Sequence, residues 1–229
     1  MRTEQQTLIF DADDTLWENN VLFERVIDDF LEWLAHPTLD RVDTRAVLDD
    51  IERANVLVHG YGAASFLRSL HDCFERLRER PATPGERAEI DALVAALANH
   101  EIELVPGVSE TLAELGTRHE LLLLTKGQVD EQQRKIDASN LAHHFSGVHI
   151  VAEKRASTYR ELAAERGLVP ASTWMIGNSP RSDILPAREA GMNAVFIPNA
   201  YTWVLENDDL PEDDGVLRLR SFPELVYHF

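Results

Sequence analysis

The amino-acid sequence predicts an α/β protein, in which a parallel sheet carries helices on both faces and an all-helical insert follows the first strand. Two observations support this class. After Pro106, short apolar runs alternate with helical patterns, as expected for buried parallel strands. Between about residues 18 and 103, apolar residues instead recur at three- and four-residue spacing, which is typical of amphipathic helices.

The first strand is predicted at Thr7–Phe10, an apolar run that stops abruptly at Asp11 and continues as a polar loop. Four amphipathic stripes follow, beginning at Val21, Val47, Phe66 and Ile90. The last two helices are separated by a pair of prolines, Pro81 and Pro84. We find no convincing strand pattern in this stretch.

Alternation of helix and strand begins after Pro106-Gly107. Further strands are predicted at residues 121–125, 148–152, 174–177, 194–197 and 216–219. Helices are predicted at residues 109–115, 129–139, 158–166 and 186–190. We therefore expect two domains: a core formed by residues 1–16 and 104–229, and a helical domain formed by residues 17–103.

Composition excludes several classes of protein. The chain has 22 Lys+Arg against 40 Asp+Glu, a net charge of −18, which disfavours a nucleic acid polymer or an anionic membrane as partner. The single cysteine, Cys73, excludes an intrachain disulfide and a Cys-rich zinc site. No apolar run is long enough to span a bilayer, and the N-terminus lacks a secretory signal. We expect a cytoplasmic protein.

Candidate functional residues follow the predicted strands, because ligands of open parallel sheets bind at the carboxyl ends of the strands. Each of these loops is unremarkable alone: an acidic turn, a helix entry, a surface lysine, a Gly-Asn-Ser turn. Together they supply carboxylates, a hydroxyl, an ammonium and an amide, which are the groups that phosphoryl transfer needs. The residues are Asp11, Asp13 and Thr15, then Thr125, Lys126 and Gly127, then Lys154, then Asn178 and Asp183.

These residue types suggest a mechanism. A phosphomonoester is anionic, so a carboxylate attacks it best beside a cation such as Mg²⁺, which prefers oxygen ligands. Asp11 can ligate the metal and attack phosphorus, giving an aspartyl-phosphate. Asp13 can protonate the leaving alkoxide and later deprotonate water, and its backbone carbonyl can face the metal. Thr125 and nearby N–H groups can hold phosphate oxygens, and Lys154 should keep Asp11 ionised.

In order and spacing, Asp11-x-Asp13-x-Thr15, Thr125, Lys154 and Gly177-Asn178-Ser179-x-x-x-Asp183 resemble the four motifs of the haloacid dehalogenase-like hydrolase superfamily. The similarity covers essentially the whole chain. The resemblance implies a Rossmann-like core, a helical cap between the first two motifs, and a Mg²⁺-dependent phosphatase of the phosphoglycolate phosphatase-like type. It also implies metal ligation by Asp11, Asp13, Asn178 and Asp183, and phosphate binding by Thr15, Thr125, Lys126 and Gly127.

Two residues depart from that pattern. The fourth motif usually has aspartate where this chain has Asn178, so one negative charge is missing and metal affinity should fall. The residue after the second-motif threonine is often asparagine, whereas here it is Lys126. Lys126 either helps to bind phosphate or a second anionic group, or is simply a solvated side chain.

Asn178 leaves two alternatives to the phosphatase. Haloacid dehalogenases use asparagine in that region, need no metal and attack carbon; the presence of Asp13 favours the phosphatase, because an alkoxide leaving group needs a proton. The other alternative is a phosphate-ligand binding or regulatory protein with little turnover. The expected partner is a small phosphorylated metabolite, such as phosphoglycolate, a sugar phosphate or a nucleotide, and the expected assembly is a monomer or homodimer.

Overall fold

A six-stranded parallel sheet forms the centre of the computed structural model, which describes residues 5–98, 101–210 and 212–229. The strands are β1 (Thr7–Phe10), β2 (Glu120–Lys126), β3 (Gly147–Val151), β4 (Thr173–Gly177), β5 (Asn193–Phe196) and β6 (Val216–Arg218). Their order is β3-β2-β1-β4-β5-β6. The strand order reverses between β1 and β4, and this is the point at which such sheets bind ligands.

Eight α-helices accompany the strands in the described residues. They are α1 (Asn20–Leu34), α2 (Arg41–His59), α3 (Ala63–Arg78), α4 (Pro84–Ala98), α5 (Val108–Leu115), α6 (Val129–Ser139), α7 (Ala156–Arg166) and α8 (Leu185–Glu189). A π-helical turn, Pro180–Ile184, directly precedes α8. The first four helices lie between β1 and α5, so the insert predicted after the first strand is helical.

Apolar side chains cover both faces of the sheet, because successive side chains of β1 pack alternately into two different apolar clusters. Leu8 and Phe10 point into one apolar cluster, which includes Leu112 of α5, whereas Ile9 points into another, which includes Tyr159 of α7. All three β1 side chains are fully buried. A strand buried on both faces reads as a continuous apolar run, which is why the pattern at residues 7–10 has no polar alternation.

The predicted α/β class with a parallel sheet is confirmed, and every predicted strand lies within one residue of the observed one. The largest difference at a core helix is the start of α7, which begins at Ala156 instead of 158. Here the backbone N–H of Arg155 donates to the Thr158 hydroxyl at 3.3 Å. Thr158 therefore lies inside the first turn of α7 and closes it, although the sequence suggested that it was the first helical residue.

The chain divides into two compact units, one formed by the residues up to Asn20 together with Ile102–Phe229, and the other by Val21–Glu101. The second unit has an apolar core of its own, to which each of its four helices contributes: Phe30, Leu48, Leu70 and Ile90 are all buried there. Its function as a cap stays a prediction. Among the described residues, none of the helices combines the length and apolar character needed to cross a bilayer.

Within the first unit, the chain leaves and re-enters the core through one short ladder. Trp17 and Leu104 form an antiparallel bridge. On either side of it, the Glu18 N–H donates to Glu103 O and the Val105 N–H donates to Leu16 O, both at 2.9 Å. The two ends of the core that flank the helical insert are therefore hydrogen-bonded to each other.

Candidate active site

Polar side chains converge at the carboxyl end of the sheet, where β1 lies between β2 and β4. The parallel pairing of β1 with β4 continues one residue beyond the strand, because the Asp11 N–H donates to Ile176 O at 2.9 Å. Asp11 therefore leaves the sheet beside the end of β4, close to Asn178. Thr125, near the end of β2, and Lys154, in the loop after β3, lie at the same end of the sheet.

Lys154 forms a buried ion-pair triad with Asp11 and Asp183. Its Nζ lies 2.5 Å from Asp11 Oδ1 and 2.8 Å from Asp183 Oδ1. The side chains of Lys154 and Asp183 are each 1% exposed, and that of Asp11 is 11% exposed. Because one ammonium is shared by two carboxylates, the fully ionised triad carries a net negative charge away from water.

This charge imbalance sets the protonation of the triad. Burial, and then the neighbouring Asp183 carboxylate, raise the pKa of Asp11 to about 7, although Lys154 acts in the opposite direction. The pKa of Lys154 is itself raised, because the two carboxylates outweigh the effect of its burial. The predicted role of Lys154 in keeping Asp11 ionised stays a prediction, and a further cation near Asp11 would add to the effect of Lys154 in lowering the pKa of this carboxyl group.

Asp183 packs directly on the backbone of Gly177. A Cβ atom added to Gly177 would lie 2.2 Å from Asp183 Oδ2, a separation that no side chain tolerates. The same oxygen accepts the Ser179 N–H at 3.0 Å, and Ser179 also caps the π-helical turn by accepting the Ser182 N–H at 2.9 Å. A glycine at the end of β4 is thus needed so that the Asp183 carboxylate can pack against the strand end and reach Lys154.

Thr15 lies between Asp11 and Asn178. Its hydroxyl oxygen is 3.2 Å from Asp11 Oδ2 and 3.2 Å from Asn178 Oδ1. The Asn178 amide nitrogen points the other way and donates to Thr202 Oγ1 at 3.0 Å. The amide oxygen of Asn178 and the second carboxylate oxygen of Asp11 therefore both face the Thr15 hydroxyl.

The carboxylate of Asp13 is held by α6, away from the triad. Lys135 Nζ lies 3.0 Å from each Asp13 oxygen, and the Trp17 indole N–H donates to Oδ1 at 2.7 Å. Gln132 donates to Oδ2 at 3.2 Å, and Lys135 also donates to Asn19 Oδ1 at 2.8 Å. Neither Lys135 nor Gln132 was expected at the site, since both lie inside a helix and not at a strand end.

Gln132 also connects Asp13 to the carboxyl end of β2. Its amide nitrogen donates to the Thr125 hydroxyl at 2.6 Å. Gly127, with φ 146°, makes room for Gln132, because a Cβ at this position would meet Gln132 Cγ at 3.0 Å. The Gly127 N–H donates to Val151 O at 3.0 Å, so a phosphate oxygen at this residue would compete with that bond.

Lys126 is not a solvated side chain, so that alternative is wrong. Its Nζ contacts the carboxylate of Glu206 and donates to the Ser182 hydroxyl at 2.7 Å, and the lysine side chain is 15% exposed. The other Glu206 oxygen accepts from the hydroxyls of Ser179 and Ser182, both at 2.5 Å. A buried carboxylate from the segment after β5 therefore neutralises the extra charge that Lys126 brings.

Asp14 is a further buried carboxyl group that sequence reasoning did not select. Its Oδ1 accepts the backbone N–H groups of Asn19 and Asn20 at 2.9 Å each, at the start of α1. Its backbone lies in the left-handed region, with φ 62°. Burial raises its pKa to about 7, although the two N–H groups oppose this. These contacts identify Asp14 as the residue that shapes the turn after β1.

The donor set suits a hard divalent cation such as Mg²⁺. Asp11 and Asp183 offer carboxylate oxygens beside the Lys154 ammonium, and Asn178 offers an amide oxygen that contacts the same Thr15 hydroxyl as Asp11. In the part of the chain that the structure describes, no three His, Cys, Asp or Glu side chains cluster as metal ligands. This agrees with the position of the Asp13 carboxylate, which is paired with Lys135 and leaves only backbone oxygen for a metal.

The predicted site residues thus fall into three linked groups. Asp11, Thr15, Lys154, Asn178 and Asp183 form one group through direct contacts. Asp13 and Thr125 meet through Gln132, and Lys126 meets the fourth-motif loop through Glu206 and Ser182. Sequence reasoning missed four residues that bind the predicted side chains: Gln132 and Lys135 on α6, and Thr202 and Glu206 in the segment after β5.

Comparison with known proteins identifies the same family that the four motifs resemble. A model of the haloacid dehalogenase-like hydrolase family matches residues 5–191. A phosphoserine phosphatase from Thermus thermophilus is 33% identical over 157 residues, which cover 66% of this chain and 61% of that enzyme. The chain thus spans less than two thirds of the length of this relative.

Solved structures share the fold. A haloacid dehalogenase-like family hydrolase from Xanthomonas campestris has a TM-score of 0.84 at 26% identity, covering 98% of this chain and 94% of that one. A 2-haloacid dehalogenase from Pseudomonas syringae has a TM-score of 0.58 at 20% identity, with 98% of both chains covered. The second likeness concerns the fold alone.

Proposed function

Because this chain belongs to the haloacid dehalogenase-like hydrolase family, we propose that it is a Mg²⁺-dependent phosphomonoester hydrolase that acts on a small phosphorylated metabolite. The observation that carries the proposal is the pairing of two carboxyl groups with separate cations. Asp11 lies against Lys154, and Asp13, two residues later, lies against Lys135. Two carboxyl groups in different environments can act as nucleophile and as proton carrier.

In the proposed reaction, an Asp11 oxygen attacks phosphorus, an O–P bond forms, and the ester P–O bond breaks. Asp13 gives its proton to the departing alkoxide, which leaves as the alcohol. Asp13 then accepts a proton from water as the water oxygen attacks the aspartyl-phosphate. The bond between Asp11 and phosphorus breaks, and inorganic phosphate leaves with the Asp11 carboxylate restored.

The remaining residues would bind and orient the phosphate group and balance its negative charge. Lys154 offsets the negative charge that gathers when a phosphate approaches Asp11. The Thr125 hydroxyl, which accepts a hydrogen bond from Gln132, would donate to a phosphate oxygen. Bound Mg²⁺, held by Asp11, Asp183, the amide oxygen of Asn178 and the backbone carbonyl of Asp13, would supply Lewis-acid stabilisation of the phosphoryl oxygens.

The metal-independent 2-haloacid dehalogenase is the second candidate, and Asn178 is the observation that favours it. In that reaction, an Asp11 oxygen would attack a carbon atom and halide would leave without a proton. The tethering of Asp13 argues for the phosphatase, because three side chains hold a carboxyl group that a departing halide would not need.

A direct assay separates the candidates. Purified protein is incubated with p-nitrophenyl phosphate, O-phosphoserine, phosphoglycolate, sugar phosphates and nucleoside monophosphates at millimolar Mg²⁺, with and without EDTA, and also with 2-chloropropionate. The isosteric Asp11→Asn variant is the matched control. Phosphate release that depends on both Mg²⁺ and Asp11 supports the proposal. Metal-independent halide release would identify a dehalogenase, and binding without turnover above the control would identify a binding protein.

A further inference from the structure

Asn178 raises an orientation problem that an aspartate would not have. A carboxylate offers an oxygen on either side, whereas an amide has one oxygen and one NH₂ group. A cation near Asp11 and Asp183 gains a ligand from Asn178 only if the amide oxygen faces it. If the amide were turned over, two N–H groups would point at the cation, and the residue would repel it.

In the structure the amide oxygen faces Thr15 and the amide nitrogen faces Thr202. Asn178 is 5% exposed, its Nδ2 donates to Thr202 Oγ1 at 3.0 Å, and its Oδ1 lies 3.2 Å from the Thr15 hydroxyl on the Asp11 side. The Thr202 hydroxyl in turn donates to Asn199 O at 3.1 Å. Because a hydroxyl has a single hydrogen, Thr202 Oγ1 presents only lone pairs to Asn178.

Turning the amide over would therefore place the Asn178 oxygen against another acceptor. Thr202 could donate to it only by giving up its bond to Asn199. The segment that carries both residues is fixed to the loop after β1: Asn199 Nδ2 donates to Asp14 O at 3.3 Å, and Asn20 Nδ2 donates to Tyr201 O at 2.6 Å. The position of the Thr202 acceptor is thus supported by the contacts of two residues just before it, Asn199 and Tyr201.

We propose that Thr202 is a positioning residue for the metal site, which fixes the Asn178 amide with its oxygen toward the cation. In this chain it compensates for the missing aspartate. The inference rests on the proposed function, since it requires that Mg²⁺ binds here. It assigns Thr202 no contact with substrate or with the reacting atoms.

The test measures Mg²⁺ binding by calorimetry in the absence of substrate. Thr202→Val keeps the shape of the side chain and removes the acceptor, and we expect the Kd for Mg²⁺ to rise about three- to tenfold, as for the loss of one hydrogen bond. Thr202→Ser should restore the wild-type Kd. In an Asn178→Asp background, Thr202→Val should change the Kd less than about twofold, because a carboxylate presents an oxygen in either orientation.

Thr117→Val is the matched control, since this exposed threonine lies between α5 and the amino end of β2, opposite the end of the strand that carries Thr125, and its hydroxyl donates to Glu114 O. An unchanged Kd in Thr202→Val would overturn the inference while leaving the proposed function intact. An equal loss in the wild-type and Asn178→Asp backgrounds would also overturn it. Such a result would show that Thr202 affects Mg²⁺ binding through the general structure of the site and not by orienting the Asn178 amide. Absence of Mg²⁺ binding by the wild-type protein, with no Mg²⁺-dependent phosphate release, would overturn both the inference and the proposed function.

Discussion

Replacing Lys135 by methionine tests whether α6 positions the proposed acid. The Lys135 Nζ lies 3.0 Å from both oxygens of Asp13, and the two side chains are 17% and 24% exposed. A charge-assisted hydrogen bond contributes about 1.5–3 kcal/mol, and partial exposure favours the lower end of that range. About 1.5 kcal/mol corresponds to roughly a tenfold change in rate.

We expect this loss to depend on the leaving group. The kcat/KM of Lys135→Met should fall about tenfold on an alkyl phosphate, whose alkoxide needs a proton, and less than about threefold on p-nitrophenyl phosphate, whose phenolate does not. Arg134→Met is the matched control, since Arg134 is exposed on the same helix and its side chain donates to Asp130 O one turn earlier. Equal losses on both esters would refute the reasoning, because Lys135 would then act on binding or on the fold.

Three further predictions concern the buried charges and the glycine at the end of β4. Lys154→Met should lower the free energy of unfolding in EDTA by about 3–5 kcal/mol, since it leaves two buried carboxylates without their shared cation; a loss under about 1 kcal/mol by urea denaturation would argue against the triad. Gly177→Ala should displace the Asp183 carboxylate and reduce Mg²⁺-dependent turnover at least tenfold. Gly85→Ala, with no described atom within 4 Å of the added Cβ, should leave turnover unchanged, and equal activity of the two variants would contradict this role of Gly177. Although burial acts against it, the charge of Lys126 and the Ser179 and Ser182 hydroxyls lower the pKa of Glu206 below its ordinary 4.5. The stabilisation of wild type over Glu206→Gln should thus be complete above about pH 4.5 and shrink as the pH falls through the lower, folded-state pKa. A Tm difference that stays constant from pH 7 to pH 3 would contradict this assignment.

The sequence predicts the strands well because a strand buried on both faces must be a short, continuous apolar run. The same reasoning finds Asp11, Thr125, Lys154 and Asn178, since each lies at or just beyond the carboxyl end of such a run. The reason why a glycine precedes Asn178 emerges only once the structure is known, because the contact of Asp183 with Gly177 is a three-dimensional fact.

The residues that sequence reasoning missed do not directly follow an apolar run, so no sequence pattern indicates them. Lys135 reads as one polar residue among many on α6, and its contact with Asp13 is between residues 122 positions apart. Glu206 and Thr202 follow β5, which carries no chemical motif, and they act by binding other side chains. The sequence leaves Lys126 ambiguous for the same reason, because its counter-charge lies 80 residues away.

The short ladder beside Trp17 bears on how such a chain can diversify. The two stems of the insertion are hydrogen-bonded to each other, so the segment between them closes a loop whose ends already meet. The entropy of closing a loop depends weakly on its length, at about 0.6 kcal/mol for each doubling. The helical insert can therefore be lengthened, shortened or exchanged with little change in the free energy of unfolding of the sheet. The sheet and the polar residues at its strand ends can in this way be kept while the helical insert changes.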